Sequence, residues 1–113
     1  MRIDDYSFGS ITIAGMTFTS DVIIYPDRVD AAWWRQEGHY LQKADLADIV
    51  AAKPDLLIVG TGADGVMAVP ESIALFLSSH DIEVIIEKTG KAVEIFNDQP
   101  AGKKVIAVFH LTC

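Results

Sequence analysis

The chain has 113 residues, half of them apolar and 22% charged, which is a globular composition of about the size of one domain. Sixteen acidic residues against nine basic ones give a net charge of −7, and the one adjacent basic pair is Lys103-Lys104, so a phosphate-binding surface for nucleic acid is disfavoured. The single cysteine, Cys113, allows no intrachain disulfide, and no apolar run approaches the roughly 18 residues that span a bilayer.

The opening Met1-Arg2-Ile3-Asp4-Asp5 is acidic and has no apolar h-region, so a cytoplasmic location is expected. One domain is expected over residues 1–113, with no repeat and no linker. Its first third reads as β structure. Tyr6 and Phe8 alternate, as do Ile11 and Ile13, around a Gly9-Ser10 loop with the signature of a hairpin turn. Met16, Phe18 and Val22-Ile23-Ile24-Tyr25 extend this, with Gly15 at a second turn and Pro26-Asp27 closing the segment. Ala31-Ala32-Trp33-Trp34 fits either a short strand or irregular backbone.

From Ala44 the period changes. Leu46, Ile49 and Val50 share one helical face, and Pro54 stops that helix. The apolar run Leu56-Leu57-Ile58-Val59 reads as a buried strand. Pro70 can open a second helix at its first position, with Ile73, Phe76 and Leu77 inward. A strand at Ile82–Ile86 follows. Thr89 can cap a third helix that buries Ala92, Ile95 and Phe96, and Val105–Phe109 is the last strand. Three nearly continuous apolar strands separated by helices predict a sheet covered on both faces. The expected fold is α/β and three-layered: a mixed central sheet, helices on it, and an added amino-terminal antiparallel β layer.

Gly60-Thr61-Gly62-Ala63-Asp64-Gly65 matches the G-x-G-x-x-G of dinucleotide sites, and Glu87 follows at about the usual spacing for a ribose contact. Three features oppose that use. Val66-Met67-Ala68-Val69 separate the last glycine from the next helix start, which removes the helix dipole from the phosphates. The chain is too short for two mononucleotide-binding halves. Asp64 and Glu71 place negative charge where a pyrophosphate would lie. The glycines then serve a tight turn, and no cofactor is called for. A weaker anion site remains conceivable, because consecutive strand-to-helix loops share one sheet edge. Its members would be Gly60, Thr61, Gly62, Asp64, Lys88, Thr89 and Lys91.

His39, His80 and His110 show no ligand spacing, so no metal site is predicted. His80 and His110 are expected at the surface. Ser78-Ser79-His80-Asp81 holds the residue types of a hydrolase triad, but such adjacency argues for a polar turn and against catalysis. No catalytic residue is assigned. Trp33-Trp34 is the most unusual signal. In extended backbone the two rings face opposite sides, one to the core and one outward. With Tyr25 and Tyr40 they form the candidate interface.

Several segments together resemble a known small domain. They are the opening hairpin with Gly9 and Gly15, the Trp34 segment, Pro54 through Gly62, Pro70, and Ile82-Glu83-Val84 through Thr89, Ala92, Phe96-Asn97 and Val105. The chain resembles the domain-of-unknown-function family that includes the adipogenesis-associated domain protein and a mitochondrial complex I assembly factor. That resemblance implies a three-layer α/β fold with a mixed sheet, no established reaction or cofactor, and a non-catalytic part in assembling other proteins. Family members tend to carry arginine just before the last strand, where this chain has Lys103-Lys104, and lysine cannot reproduce a bidentate guanidinium contact. The function expected is an interaction or assembly module with a protein partner or a second copy of itself, not nucleic acid or membrane. The alternative is a protein that binds a small anion or metabolite, or an enzyme acting on one, at the glycine-loop edge.

Overall fold

The computed structural model describes residues 1–113. Strands β1 (Ile3–Ser7), β2 (Ser10–Ile13) and β3 (Met16–Phe18) form an antiparallel sheet in sequence order. Its first turn is Phe8-Gly9, one residue earlier than expected, since Ser7 pairs with Ser10. The second is Ala14-Gly15, with both φ values positive at 49° and 82°, the pattern of a type I′ turn.

The main sheet holds β4 (Val22–Ile24), β5 (Val29–Asp30), β6 (Leu56–Thr61), β7 (Glu83–Glu87) and β8 (Val105–His110), in the order β5-β4-β8-β6-β7. β6 runs parallel to both neighbours, and β4 runs antiparallel to β8. The sheet is therefore mixed, as its sequence implied. Val22–Tyr25 does not extend the amino-terminal hairpins. It crosses to the main sheet, and β4 is buried on both faces, as its unbroken apolar run requires.

Helix α1 (Ala47–Ala52) follows a 3-10 turn over Lys43–Leu46 and ends at Lys53, in left-handed backbone ahead of Pro54. α2 (Glu71–Ser79) begins one residue after Pro70, which stands outside the helix in extended backbone. α3 (Thr89–Asn97) joins β7 to β8.

Alternation along the strands divides the interior in two. Ile23, Leu57, Val59, Ile106 and Val108 meet Ile49 of α1 and Ile73 and Leu77 of α2. Val22, Ile24, Leu56, Ile58, Ala107 and Phe109 meet α3 and the small sheet's Ile3, Ile11 and Ile13. Each such side chain taken from water contributes about 1.5–3 kcal/mol, and a one-residue slip of β6 would exchange the two faces. Strand β7 departs from expectation. It lies at the sheet edge and is only partly covered. Glu83 and Glu87 bracket its three apolar residues, a charge pattern that discourages edge pairing.

Candidate functional site

β6 and β8 end together, Thr61 opposite His110, and the glycine loop leaves from that point. Pyrophosphate binding in such a loop needs free amides. Here they are spent within the chain. Gly62 N–H donates to Thr89 Oγ1 at 2.8 Å, Ala63 N–H to the Thr112 carbonyl at 2.6 Å, and Val66 N–H to the Cys113 oxygen at 2.9 Å. Gly65, Met67 and Thr89 amides donate to Gly62, Thr61 and Gly62 carbonyls. The segment Leu111–Cys113 thus lies where a ligand would approach. Gly62 takes φ +106°, and a Cβ there would stand 2.5 Å from the Cys113 oxygen and 2.9 Å from His110 Cδ2. The glycine serves a close approach of chain to chain.

The loops after β6 and β7 do meet at one edge. Thr89 is not the cap of α3. Lys88 occupies that position, and Thr89, fully buried, is the first helical residue. Its hydroxyl accepts from Gly62 and donates to the His110 carbonyl at 2.6 Å, so one side chain links β6, β8 and α3. Thr61 Oγ1 donates to the Glu87 carbonyl. Lys88 runs alongside Gly65, and Lys91 faces Glu94 at 3.7 Å on the surface. Asp64 contributes to raising the Tyr6 phenol above its usual range, after burial and ahead of Asp21. Replacing Thr89 by valine keeps the shape and strands two buried polar partners. We expect a loss of about 2 kcal/mol, read as a lower midpoint in urea unfolding with an unchanged slope.

Asp21, Arg35 and His110 form a buried cluster that sequence patterns did not reveal. His110, expected at the surface, is 5% exposed, because β8 carries it beneath the segment after β5. Asp21 Oδ2 accepts from Arg35 Nη2 at 2.7 Å and from His110 Nδ1 at 2.8 Å, and Oδ1 accepts from the Leu111 amide at 2.9 Å. Arg35 and His110 nitrogens, 3.3 Å apart, are both donors that share this one carboxylate. Burial alone would raise the Asp21 carboxyl, but hydrogen bonds from His110, Leu111 and Arg35 and the His110 charge outweigh it and hold it below the usual range.

The Arg35 side chain is 5% exposed, stacks 4.4 Å from the Trp33 ring, and also donates to the Gly38 carbonyl. Its Nη1 has no hydrogen-bond partner, and the favourable contact with the Trp33 ring offsets part of that cost. His39 packs edge-on against His110 at 5.3 Å.

Thr112 Oγ1 lies 3.5 Å from His110 Nε2, which completes the carboxylate, imidazole and hydroxyl order of a hydrolase triad. The arrangement does not work as one. The hydroxyl contact is at the outer limit of a hydrogen bond. The carboxylate is already neutralised by a guanidinium, and the amides around it are engaged within the chain. Its effect is mechanical: it ties β4, β8 and the segment carrying the tryptophans. Of the Ser78–Asp81 run, Ser78 and Ser79 close α2, and His80-Asp81 make the turn after it, with Asp81 at φ +60°.

The aromatic residues divide as their alternation implied. Trp33 is 7% exposed and belongs to the core, whereas Trp34 is 73% exposed. Tyr25 is buried with Arg28 over its ring at 3.9 Å, and Tyr40 is partly exposed beside the bridge it makes to Ala68. Asn97 has a role that no sequence signal pointed to. Its amide exchanges two hydrogen bonds with the backbone of Ile3 and pins α3 to β1.

Residues 3–110 match a family described as a protein of unknown function (DUF498/DUF598). The structure is similar to that of a conserved hypothetical protein from Pyrococcus horikoshii: 27% identity, all of both chains covered, TM-score 0.85. It is similar to the Rpa2829 protein of Rhodopseudomonas palustris, at 28% identity, 95% of this chain and 80% of that one, and TM-score 0.77. A Bordetella pertussis protein described as an Mth938-like domain shares the fold at 19% identity, 97% and 85% coverage and TM-score 0.69.

Proposed function

We propose a role for this chain, which belongs to the DUF498/DUF598 family of unknown function, as a non-catalytic interaction module that docks another protein through the segment around Trp34. One observation carries the reading. Trp34 is 73% exposed on a segment anchored from below by the contacts of Arg35 and the buried Trp33. Large exposed aromatics presented on fixed backbone act as binding anchors, because little ordering entropy is lost on contact. The resemblance to the complex I assembly factor supports the same kind of role, help in building other proteins into place. No helix is long and apolar enough to cross a membrane, and we place the activity in the cytoplasm.

Trp34→Ala tests this. Trp34 contributes little to the interior, so stability is expected to change by less than about 0.5 kcal/mol. Capture of a protein partner from the native cell extract is expected to be lost. Unchanged capture, together with unchanged mass in light scattering, would contradict the reading. A second reading, small-anion binding at the glycine-loop edge, draws support from Lys88 and Lys91 standing near the start of α3. The engaged amides of Gly62, Ala63 and Val66 favour the first.

A further inference from the structure

Trp34 stands at one end of a cleft of about 280 Å³ between the β5 edge and α1. The cleft's charged lining is Asp30, Asp45 and Asp48, with no basic residue, and its remaining wall is apolar, Ile23, Trp33 and alanines included. Asp30 and Asp48 also line a broader, more open depression that continues past β5 to Tyr25. Two cations border that depression, and both are already committed. Arg28 pairs with Asp27 at 3.0 Å and lies over the Tyr25 ring, and Lys104 Nζ donates to the Ala52 carbonyl. None of Asp30, Asp45 and Asp48 has an ion-pair partner. Asp45 accepts from the Gln36 and Gln42 amides, Asp30 accepts from the Ala32 amide, and Asp48 makes no hydrogen bond. Asp48 and Asp30 act on a common point. Tyr25, in the adjoining depression, has its phenol raised by burial first and by Asp48 next, with Arg28 opposing and Asp30 adding.

We propose that this cleft receives an arginine- or lysine-bearing segment of the partner protein, its cationic head among Asp30, Asp45 and Asp48 and its aliphatic stem against Trp34. The proposal rests on the docking reading above and gives the partner's chemistry. A carboxylate rim with an aromatic wall suits a long basic side chain on both counts, ion pairing of the head and packing of the aliphatic stem on the indole. A second copy of this chain fits poorly, since a two-fold contact on this patch would set three aspartates against their own counterparts.

The probe is a capped five-residue peptide of alternating arginine and leucine, with citrulline in place of arginine as control. It is titrated into the full chain, and the amide and indole N–H resonances are followed. The Trp34 indole and the Asp48 amide are expected to shift and saturate, with no response to the citrulline peptide. Asp30→Asn with Asp48→Asn is expected to weaken binding about tenfold. Glu83→Gln with Glu87→Gln removes the same charge from the opposite sheet edge and is expected to change affinity less than about twofold, since distant exposed charges are screened. Equal weakening by both pairs, shifts mapping elsewhere, or no shift at millimolar peptide would overturn the assignment. Loss of partner capture in Trp34→Ala, with no peptide binding, would discard the basic partner while the docking reading stands. Peptide binding at the cleft with capture intact in Trp34→Ala would discard the docking reading instead.

Discussion

Asp21→Ala is expected to be among the most damaging single substitutions in this chain. It leaves the buried Arg35 guanidinium and the His110 ring without their shared acceptor, and it removes the partner of the Leu111 amide. Breaking one side of a buried pair costs about 3–5 kcal/mol, because an uncompensated charge stays behind. For a domain of this size that is a drop of roughly 10–20 °C in Tm. Asp21→Ala with Arg35→Met is expected to cost clearly less than the sum of the two single changes. The pH dependence has a definite sign. The folded Asp21 carboxyl is held below its ordinary value. Its contribution is therefore present above the unfolded value of about 3.9 and is lost as pH falls through the lower folded value. The gap between wild type and Asp21→Ala is expected to be full at neutral pH and to close under acid conditions. A gap of under about 1 kcal/mol at pH 7 in denaturant titrations would show that the cluster is no structural tie.

Gly62→Ala is the second large effect. Two costs add. The backbone sits at φ +106°, where a side chain is strained, and the added methyl would run into the Cys113 backbone and the edge of His110. Neither obstacle is the free end of a flexible side chain. Displacing Cys113 breaks the bond from Val66, and displacing Thr112 with it breaks the bond from Ala63. A loss of about 3 kcal/mol or more is expected. Gly102→Ala makes a useful comparison. It shares a positive φ of 93°, yet nothing lies within 4 Å of its Cβ position, so only the backbone term of about 1 kcal/mol applies. Similar losses at the two positions in thermal unfolding would mean that Gly62 serves φ alone.

Local pattern carried much of the fold because the forces that set it are local or periodic. The apolar runs of β6 and β8 announced two-sided burial. The spacing of Leu46 and Ile49 announced the inward face of the 3-10 turn and α1, and that of Ile73 and Leu77 the face of α2. Gly15 marked the second tight turn because glycine adopts positive φ at no steric cost, whereas Ala14, also at positive φ, carried no such signal. What local pattern could not carry was pairing across distance. Asp21 and His110 lie 89 positions apart, and their bond depends on β4 and β8 being neighbours. Without that neighbour His110 looks like any polar residue closing a strand. β7 misled for a related reason. Ile82-Glu83-Val84-Ile85-Ile86 reads as central by composition, but its place at the edge follows from the order of the other strands. Thr89 carried a helix-start signal that was right about where α3 begins and wrong about the hydroxyl, which two distant backbone groups claim. At the candidate interface, an extended backbone implied one tryptophan inward and one outward without saying which, and Trp33 is the buried one. The acidic cleft beside Trp34 required α1 and the β5 edge to stand side by side in the fold.

The glycine loop at the end of β6 is closed by the chain's own backbone, which leaves the Trp34 side as the proposed place of contact with other molecules. Titration of the isotope-labelled protein with NADH, following the amides of Gly62, Ala63 and Val66, tests this most directly. Those resonances are expected to stay in place at millimolar NADH. Saturable shifts at those three amides, with the signals of Thr112 and Cys113 moving as that segment is displaced, would contradict it.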